Sequence, residues 1–190
     1  MISKIVQIGN VSFPSFNEER LYQIPFKKNT PLPEELSHWQ PTVDSMLVGV
    51  DTDEEMYLMV DQGTVEEGTT HRRAGVHIDG NWEITGHSTG HRVMAWDTGG
   101  GGWSTKNLTT GGIILASNIN GTKAYEGEVA GIVGEGGDCS HLDLRGLHTV
   151  EMQSNVAYLG NVTMLHEAVP APQAHNRTLV RITLPASYAA

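Results

Sequence analysis

The sequence has little cysteine and no long hydrophobic run. Its single cysteine, Cys139, excludes an internal disulfide, which agrees with a reducing compartment. No apolar run is long enough to cross a bilayer, and the first residues do not have the basic and apolar segments of a signal peptide. We therefore expect a soluble protein that works in the cytoplasm, or in the host cytoplasm if it is viral.

Positive charge is also scarce. Twelve Lys and Arg residues stand against 22 Asp and Glu residues, which gives a formal net charge of −10. Sequence-independent binding to nucleic acid depends on neutralising many phosphates with Lys and Arg. We therefore expect neither a strong nucleic-acid footprint nor a membrane partner, although a local basic groove is compatible with this balance.

Aromatic residues are few and glycines are many, with three Phe and 22 Gly. Short segments rich in Val, Ile, Leu and Thr alternate with Gly, Asn and Asp, a pattern typical of a β-sandwich or barrel. Examples are MISKIVQIGNV, SMLVGVD, EMYLMVDQG, GGIILASNING, EGEVAGIVGEGG, VAYLGNVTMLHE and RTLVRITLP. The sequence thus predicts a mainly β protein with one or two short helices, the best candidate being PLPEELSHW at 31–39.

The length of the chain indicates one domain. A core built from 190 residues already buries about two thirds of the surface that the unfolded chain exposes. We therefore expect a single domain over residues 1–190, with its core at about 40–185.

The stretch RRAGVHIDGNW, residues 72–82, contains a His-x-Asp pair, His77 and Asp79. A β-strand places residues i and i+2 on the same face, so these two side chains point together. Two histidines and one carboxylate form a facial set that suits Fe(II) and leaves coordination positions open. The pair therefore predicts two metal ligands, and the site needs a second histidine from a distant strand.

The C-terminal segment supplies a candidate for that histidine. His166 ends an apolar strand-like segment, and Arg177 and Arg181 share one face of the predicted strand RTLVRIT. Their guanidinium groups are expected roughly 13 Å apart, so only one of them would sit beside the metal. An inward-facing guanidinium is costly to bury unless it meets an anion, and its planar fork suits a carboxylate.

Taken in order, these residues resemble the Fe(II)/2-oxoglutarate-dependent dioxygenase superfamily. Between His77 of the His-x-Asp pair and His166 there are 88 residues. Ten more lie between His166 and Arg177, and Arg181 follows on the same segment. The final spacing is similar to that of the taurine dioxygenase and phytanoyl-CoA hydroxylase branches. The resemblance covers roughly residues 70–185 at the level of motifs.

The resemblance implies a double-stranded β-helix, or jelly roll, with His166 and Arg177 on its last two strands. It also implies that His77, Asp79 and His166 bind Fe(II), and that 2-oxoglutarate chelates the iron while Arg177, or else Arg181, binds its distal carboxylate. With O2, such an enzyme most often hydroxylates a substrate and releases succinate and CO2. The substrate is left open between a small molecule, a nucleobase and a protein side chain.

A second His-x-Asp pair competes with the first. His141 and Asp143 lie in CSHLDLRGLH, with His148 five residues after Asp143. Only 24 residues separate His141 from His166, which leaves little room for core strands. We therefore expect this pair in a loop or at a strand edge near the mouth of the pocket.

A different class of protein is also compatible with the sequence. A cupin-like jelly roll that binds metal, either an isomerase or a non-catalytic binding module, would share the β-rich composition. Cupins usually supply their ligands as a His-x-His cluster, and the sequence contains none.

Two residues that flank the first pair, Arg73 and Trp82, are candidates for substrate contact. The glycine-rich residues 97–107 are expected to border the entrance and to become ordered when substrate binds. Arg72 and Arg73 also fit a plain solvated strand edge.

Overall fold

Two antiparallel sheets contain most of the strands in the described part of the chain. The structure, a computed structural model, describes residues 1–79, 82–83, 94–97, 103–104 and 110–188. In chain order the strands are β1 (Ile2–Ser3), β2 (Ile5–Asn10), β3 (Arg20–Phe26), β4 (Met56–Val65), β5 (Trp82–Glu83), β6 (Met94–Asp97), β7 (Trp103–Ser104), β8 (Thr110–Ser117), β9 (Thr122–Glu128), β10 (His148–Glu151), β11 (Val156–Asn161), β12 (Leu165–Ala168) and β13 (His175–Pro185). The prediction of a mainly β protein is confirmed.

Helical structure is confined to short segments. A 3-10 helix spans Glu34–Trp39 and continues directly into helix α1, Gln40–Met46, and a second 3-10 turn spans Glu135–Gly137. None of the helices in the described ranges is long and apolar enough to span a membrane.

The larger sheet has the strand order β2-β11-β8-β13-β4-β3, with all neighbours antiparallel. Side chains alternate between the two faces of a strand. On β13, Val180 and Ile182 face a buried cluster that contains Trp39 and Met46 of the helical segment. The residues on the other face of β13, which include Arg177 and Arg181, therefore face the second sheet.

The smaller sheet is centred on β9, which lies between β10 and β12 and also pairs with β1. His77 extends this sheet through isolated bridges to His166 of β12 on one side and to Asp138 on the other. Side chains of both sheets share one buried cluster, among them Leu115 and Tyr158 of the larger sheet and Ala124 of the smaller one. The two sheets therefore pack face to face. Strands β5, β6 and β7 form a separate three-stranded sheet.

Two segments that the sequence predicts as strands are different in the structure. SMLVGVD lies at the end of α1 and in the turn after it, and EGEVAGIVGEGG leaves the strand conformation after Glu128. The first error has a clear cause, because Val43, Met46, Leu47 and Val50 all pack into the core at helical spacing. In addition, strands from residues 1–26 pair with both sheets, so β-structure also precedes residue 40.

Candidate metal centre

Backbone pairing brings two histidines together from distant parts of the chain. The His77 amide donates to the His166 carbonyl at 2.9 Å, and the His166 amide donates to the His77 carbonyl at 3.0 Å. Their ring centroids are 4.5 Å apart. The reciprocal hydrogen bonds therefore fix both imidazoles on the same face of the smaller sheet.

Asp79 completes a group of three potential ligands. Its Oδ1 lies 3.9 Å from Nε2 of His77, and its Oδ2 lies 3.7 Å from Nε2 of His166. One ligand atom from each residue falls within 4.8 Å of the other two. The structure thus brings the three predicted metal ligands, His77, Asp79 and His166, into one cluster.

The other ring nitrogen of each histidine is bonded to the backbone. Nδ1 of His77 lies 2.7 Å from the Gly75 carbonyl oxygen, and Nδ1 of His166 lies 3.1 Å from that of Met164. Because a carbonyl oxygen only accepts, each Nδ1 carries the proton. Both Nε2 lone pairs are then directed at the cluster, as metal ligation by histidine requires.

The electrostatics favour the ligand form of these groups. Burial, together with the neighbouring charge of His166, lowers the pKa of His77 to about 4, so its imidazole is neutral at pH 7. Burial acts to raise the pKa of Asp79, but the charge of Arg181 and then those of the two histidines lower it overall. Arg181 donates from Nη1 to Oδ2 of Asp79 at 2.7 Å. A neutral imidazole beside an ionised carboxylate binds a cation without first losing a proton.

Arg177 is buried in the same pocket with a different set of partners. Only 2% of its surface is exposed. Its Nε donates to Ser117 Oγ at 3.1 Å, and its Nη2 donates to Thr122 Oγ1 at 2.9 Å. No carboxylate of the described residues forms an ion pair with it, and burial lowers its pKa to about 10. Within the described residues its hydrogen bonds go only to neutral hydroxyls, and the charge of Asp61 acts on it without a direct ion pair. A buried cation in this setting is costly unless an anion joins it.

Gly121 has no side chain, and the guanidinium of Arg177 occupies the space that a side chain there would fill. A Cβ added at Gly121 would lie 2.9 Å from Cζ of Arg177 and 3.0 Å from its Nη1. Such contacts are too short for any larger residue without displacement of the arginine. The glycine therefore helps to determine where the charge of Arg177 sits.

One pocket connects the histidine cluster with Arg177. Its space is about 510 Å³, including the part open to solvent. Apolar side chains of the larger sheet, Met59, Leu115 and Leu179, form part of its wall. The remaining lining residues are Arg72, Arg73, His77, Asp79, Thr122, His166, Ala168, Arg177 and Arg181.

A buried carboxylate behind this wall was not anticipated. Asp61 of β4 accepts from Nη1 of Arg72 at 2.9 Å, and it lies 3.6 Å from Nε of Arg20 and 3.5 Å from Nε2 of His71. Although burial acts to raise the pKa of Asp61, the contacts with His71 and Arg72 lower it overall. The sequence does indicate that Asp61 faces inward, because side chains alternate between the two faces along EMYLMVDQG and Asp61 shares the inward face with Met59.

The second His-x-Asp pair forms no such cluster with other described residues. His141 is exposed and bonds through Nε2 to the Ile132 carbonyl at 3.0 Å. Asp143 is exposed and paired with Arg145, whose Nη2 lies 2.6 Å from Oδ2. His148 is exposed at the start of β10. This pair lies in a surface turn, as the sequence predicted.

The flanking candidates are described only in part. Arg73 lines the pocket, is exposed to solvent, and donates from Nη1 to the Gly136 carbonyl at 2.8 Å. Trp82 contributes its backbone to β5, but its side chain lies outside the described part of the chain. Most of the 97–107 segment also lies outside the described residues, so its expected ordering stays a prediction.

Comparisons with known proteins give little guidance. No protein-family model matches the sequence, and no curated protein matches it. Among solved structures the chain is similar to AviO1 from Streptomyces viridochromogenes Tue57, with 14% sequence identity and a TM-score of 0.39. That match covers 92% of this chain and 72% of AviO1. A likeness this low carries no argument, so any function has to be argued from the site itself.

Proposed function

We propose that this protein is an Fe(II)/2-oxoglutarate-dependent dioxygenase that hydroxylates its substrate. One observation carries the proposal. A cluster of two histidines and one carboxylate shares a pocket with a buried arginine that has no carboxylate partner in the described chain. The cluster suits Fe(II), and the arginine suits the distal carboxylate of a dicarboxylic cosubstrate.

We also propose that the fold is a double-stranded β-helix. From β4 onward the chain crosses repeatedly between the two sheets, although β9 and β10 follow one another in the smaller sheet and β5, β6 and β7 form a separate one. β4, β8, β11 and β13 belong to the larger one, whereas the His77 bridge, β9, β10 and β12 belong to the smaller one. Repeated crossing between two antiparallel, face-to-face sheets is what a jelly roll requires. Strand order supports this topology independently of the low-scoring structural match.

The donor set fits the metal and cosubstrate that this function needs. His77, Asp79 and His166 would hold Fe(II), and three protein ligands leave positions for cosubstrate and oxygen. When bound, iron, 2-oxoglutarate and O2 supply the oxidising power for hydroxylation, with succinate and CO2 as coproducts.

The protein's own residues have separate tasks in this site. Arg177, oriented by Ser117 and Thr122, binds the distal carboxylate of 2-oxoglutarate. Arg181 holds Oδ2 of Asp79 and keeps that carboxylate ionised and oriented. The two arginines that share a face of β13 thus take different roles, with Arg177 on the cosubstrate and Arg181 on the metal ligand.

The test is the visible charge-transfer band that forms when 2-oxoglutarate chelates protein-bound Fe(II) without oxygen. We expect the band in the wild-type protein, its loss in His77→Ala, and its retention in His141→Ala, which alters the exposed pair. Arg177→Gln should raise the 2-oxoglutarate concentration needed for half of the band by about 10- to 100-fold, because an ionic hydrogen-bonded contact is lost. Arg145→Gln, at an exposed arginine, should leave that concentration unchanged.

Two outcomes would contradict the proposal. If the wild-type protein forms no band, the chain does not bind iron and 2-oxoglutarate as a dioxygenase does. Tight metal binding without any band would instead support a metal-binding jelly roll of the cupin type. If the band survives in His77→Ala and disappears in His141→Ala, the metal site belongs to the second His-x-Asp pair.

A further inference from the structure

The pocket is far more positive than the chain as a whole. The sequence contains seven arginines, and four of them, Arg72, Arg73, Arg177 and Arg181, line this one pocket. Only one carboxylate, Asp79, is among the lining residues that the structure describes. In a chain of net charge −10, this clustering is opposite to the average composition.

Three of the four arginines have an evident counterpart. Arg181 is paired with Asp79 at 2.7 Å, and Arg72 is paired with Asp61 at 2.9 Å. Arg177 is assigned above to the cosubstrate. Arg73 is different, because the contact that the structure gives it is a hydrogen bond to the neutral Gly136 carbonyl. Within the described ranges, no carboxylate forms an ion pair with Arg73.

A bound cosubstrate does not remove the excess positive charge. Asp79 is already paired with Arg181, so only the two carboxylates of 2-oxoglutarate are left to balance Arg177 and the doubly charged iron. Asp61 balances Arg72. After these pairings positive charge still exceeds negative charge in the described part of the pocket, and Arg73 contributes to the excess.

The position of Arg73 suits a group held next to the metal. Arg73 lies in the segment that leads into His77, and both residues line the pocket. The bond to Gly136 uses one of the five N–H donors of the guanidinium and fixes its location. The remaining donors can bind an anion.

We propose that the substrate is a small organic anion whose carboxylate or phosphate group is bound by Arg73. This inference rests on the proposed function, because it assigns the substrate class of the same pocket. A guanidinium recognises both kinds of oxyanion through paired hydrogen bonds, and this shared chemistry is what the site provides. A neutral nucleobase has no oxyanion that this guanidinium could bind through paired hydrogen bonds.

The experiment uses the full chain with Fe(II) and saturating 2-oxoglutarate, without oxygen and at fixed ionic strength. Two matched pairs of probes are titrated calorimetrically, phenyl phosphate against phenol and benzoate against benzamide. The comparison is made in the wild-type protein, in Arg73→Gln, in Arg177→Gln and in Arg145→Gln, the last being an exposed arginine that does not line the pocket. The charge-transfer band is recorded in the same sample before each titration.

We expect at least one charged probe to bind about 10- to 100-fold more tightly than its neutral partner in the wild-type protein, as an ionic hydrogen-bonded contact allows. Arg145→Gln should keep this preference and Arg73→Gln should lose it. In a parallel screen, anionic metabolites should stimulate succinate release more than their amides or esters do.

Three results would overturn the inference. The first is equal binding of the charged and neutral probes. The second is a preference for the charged probe that survives in Arg73→Gln but disappears in Arg177→Gln. The third is succinate release that is stimulated by oligonucleotides and by no small anion. Failure of the proposed function gives a different result, namely absence of the band. The probe titrations still measure the anion preference of Arg73 in that case.

Discussion

The two His-x-Asp pairs of this protein have the same local sequence pattern and opposite surroundings. His77 and Asp79 lie in a buried pocket beside His166 and Arg181. His141 and Asp143 lie in an exposed turn. Asp143 is paired with nearby Arg145, and no third ligand joins the pair in the described chain.

The difference shows that the tripeptide alone does not make a metal site. The first pair acquires its properties from other parts of the chain: a histidine from β12, an arginine from β13 and backbone carbonyls that hold the Nδ1 protons. The histidine and the arginine can each be removed by one substitution, and exposed residues at or near the second pair supply matched controls.

Removal of the third ligand should have the largest effect. We expect His166→Ala to lower Fe(II) affinity by more than about 100-fold, because changes in groups that merely support a ligand already cost about 10- to 100-fold. His148→Ala, an exposed histidine near the second pair, should not change the affinity. Competition with a chelator under anaerobic conditions measures both, and an unchanged affinity in His166→Ala would contradict the assigned ligand set.

Removal of the arginine partner should affect folding. Arg181→Met leaves the buried carboxylate of Asp79 without its cation, and breaking a buried ion pair in this way costs about 3–5 kcal/mol of unfolding free energy. Arg145→Met removes the exposed partner of Asp143 and should change stability by no measurable amount. Urea unfolding of the metal-free proteins tests the comparison, and equal effects of the two substitutions would be inconsistent with it.

Burial of the first pair should also be visible in the pH dependence of stability. The pKa of His77 is lowered to about 4 in the folded protein, from about 6.5 when unfolded. The unfolded chain therefore takes up the proton first, and the stability contributed by neutral His77 is present above pH ~6.5 and is lost as the pH falls towards ~4. Between pH 7 and pH 5 this loss amounts to about 2 kcal/mol.

Two variants isolate that contribution. His77→Asn should not show this part of the acid-induced loss in metal-free urea unfolding, whereas His141→Asn should show it in full. A wild-type protein and a His77→Asn variant with the same pH dependence would indicate that His77 is not protected from protonation by burial.

The smallest predicted effect concerns the space around Arg177. In Gly121→Ala the new methyl group would meet the guanidinium, which must shift away from the position proposed to bind 2-oxoglutarate. We expect about a fivefold loss of 2-oxoglutarate affinity, equivalent to one weakened hydrogen bond of about 1 kcal/mol. Gly146→Ala, near the second pair, places its methyl group in open space and should have no effect. Titration of the charge-transfer band measures both variants.

Much of the candidate site follows from sequence spacing, because strand periodicity fixes which side chains share a face. The two arginines of β13 follow this rule. His77 and Asp79 do come together, but His77 forms only isolated bridges and Asp79 lies in a bend, so neither belongs to a strand as predicted. Periodicity does not determine which arginine meets which anion, since both face the same pocket. The pairing of Arg181 with Asp79 depends on how the two sheets are stacked, which is a tertiary property.

Other features were missed for different physical reasons. The apolar run SMLVGVD is too short to distinguish a strand from the end of a helix by composition alone. Asp61 was overlooked because a single acidic residue in an apolar strand does not reveal the Arg20, His71 and Arg72 contacts that compensate its burial. Those partners come from two separate segments, so only the folded chain brings them together.

The reciprocal backbone bonds between His77 and His166 have a consequence for the timing of site assembly. They close a loop of 88 intervening residues, and folding alone meets the entropic cost of that closure. A metal ion would arrive at ligands that are already adjacent, whereas a peptide of residues 72–82 would have to recruit its third ligand from solution. The exchange rates of these two amide hydrogens therefore report on site formation before any metal is added.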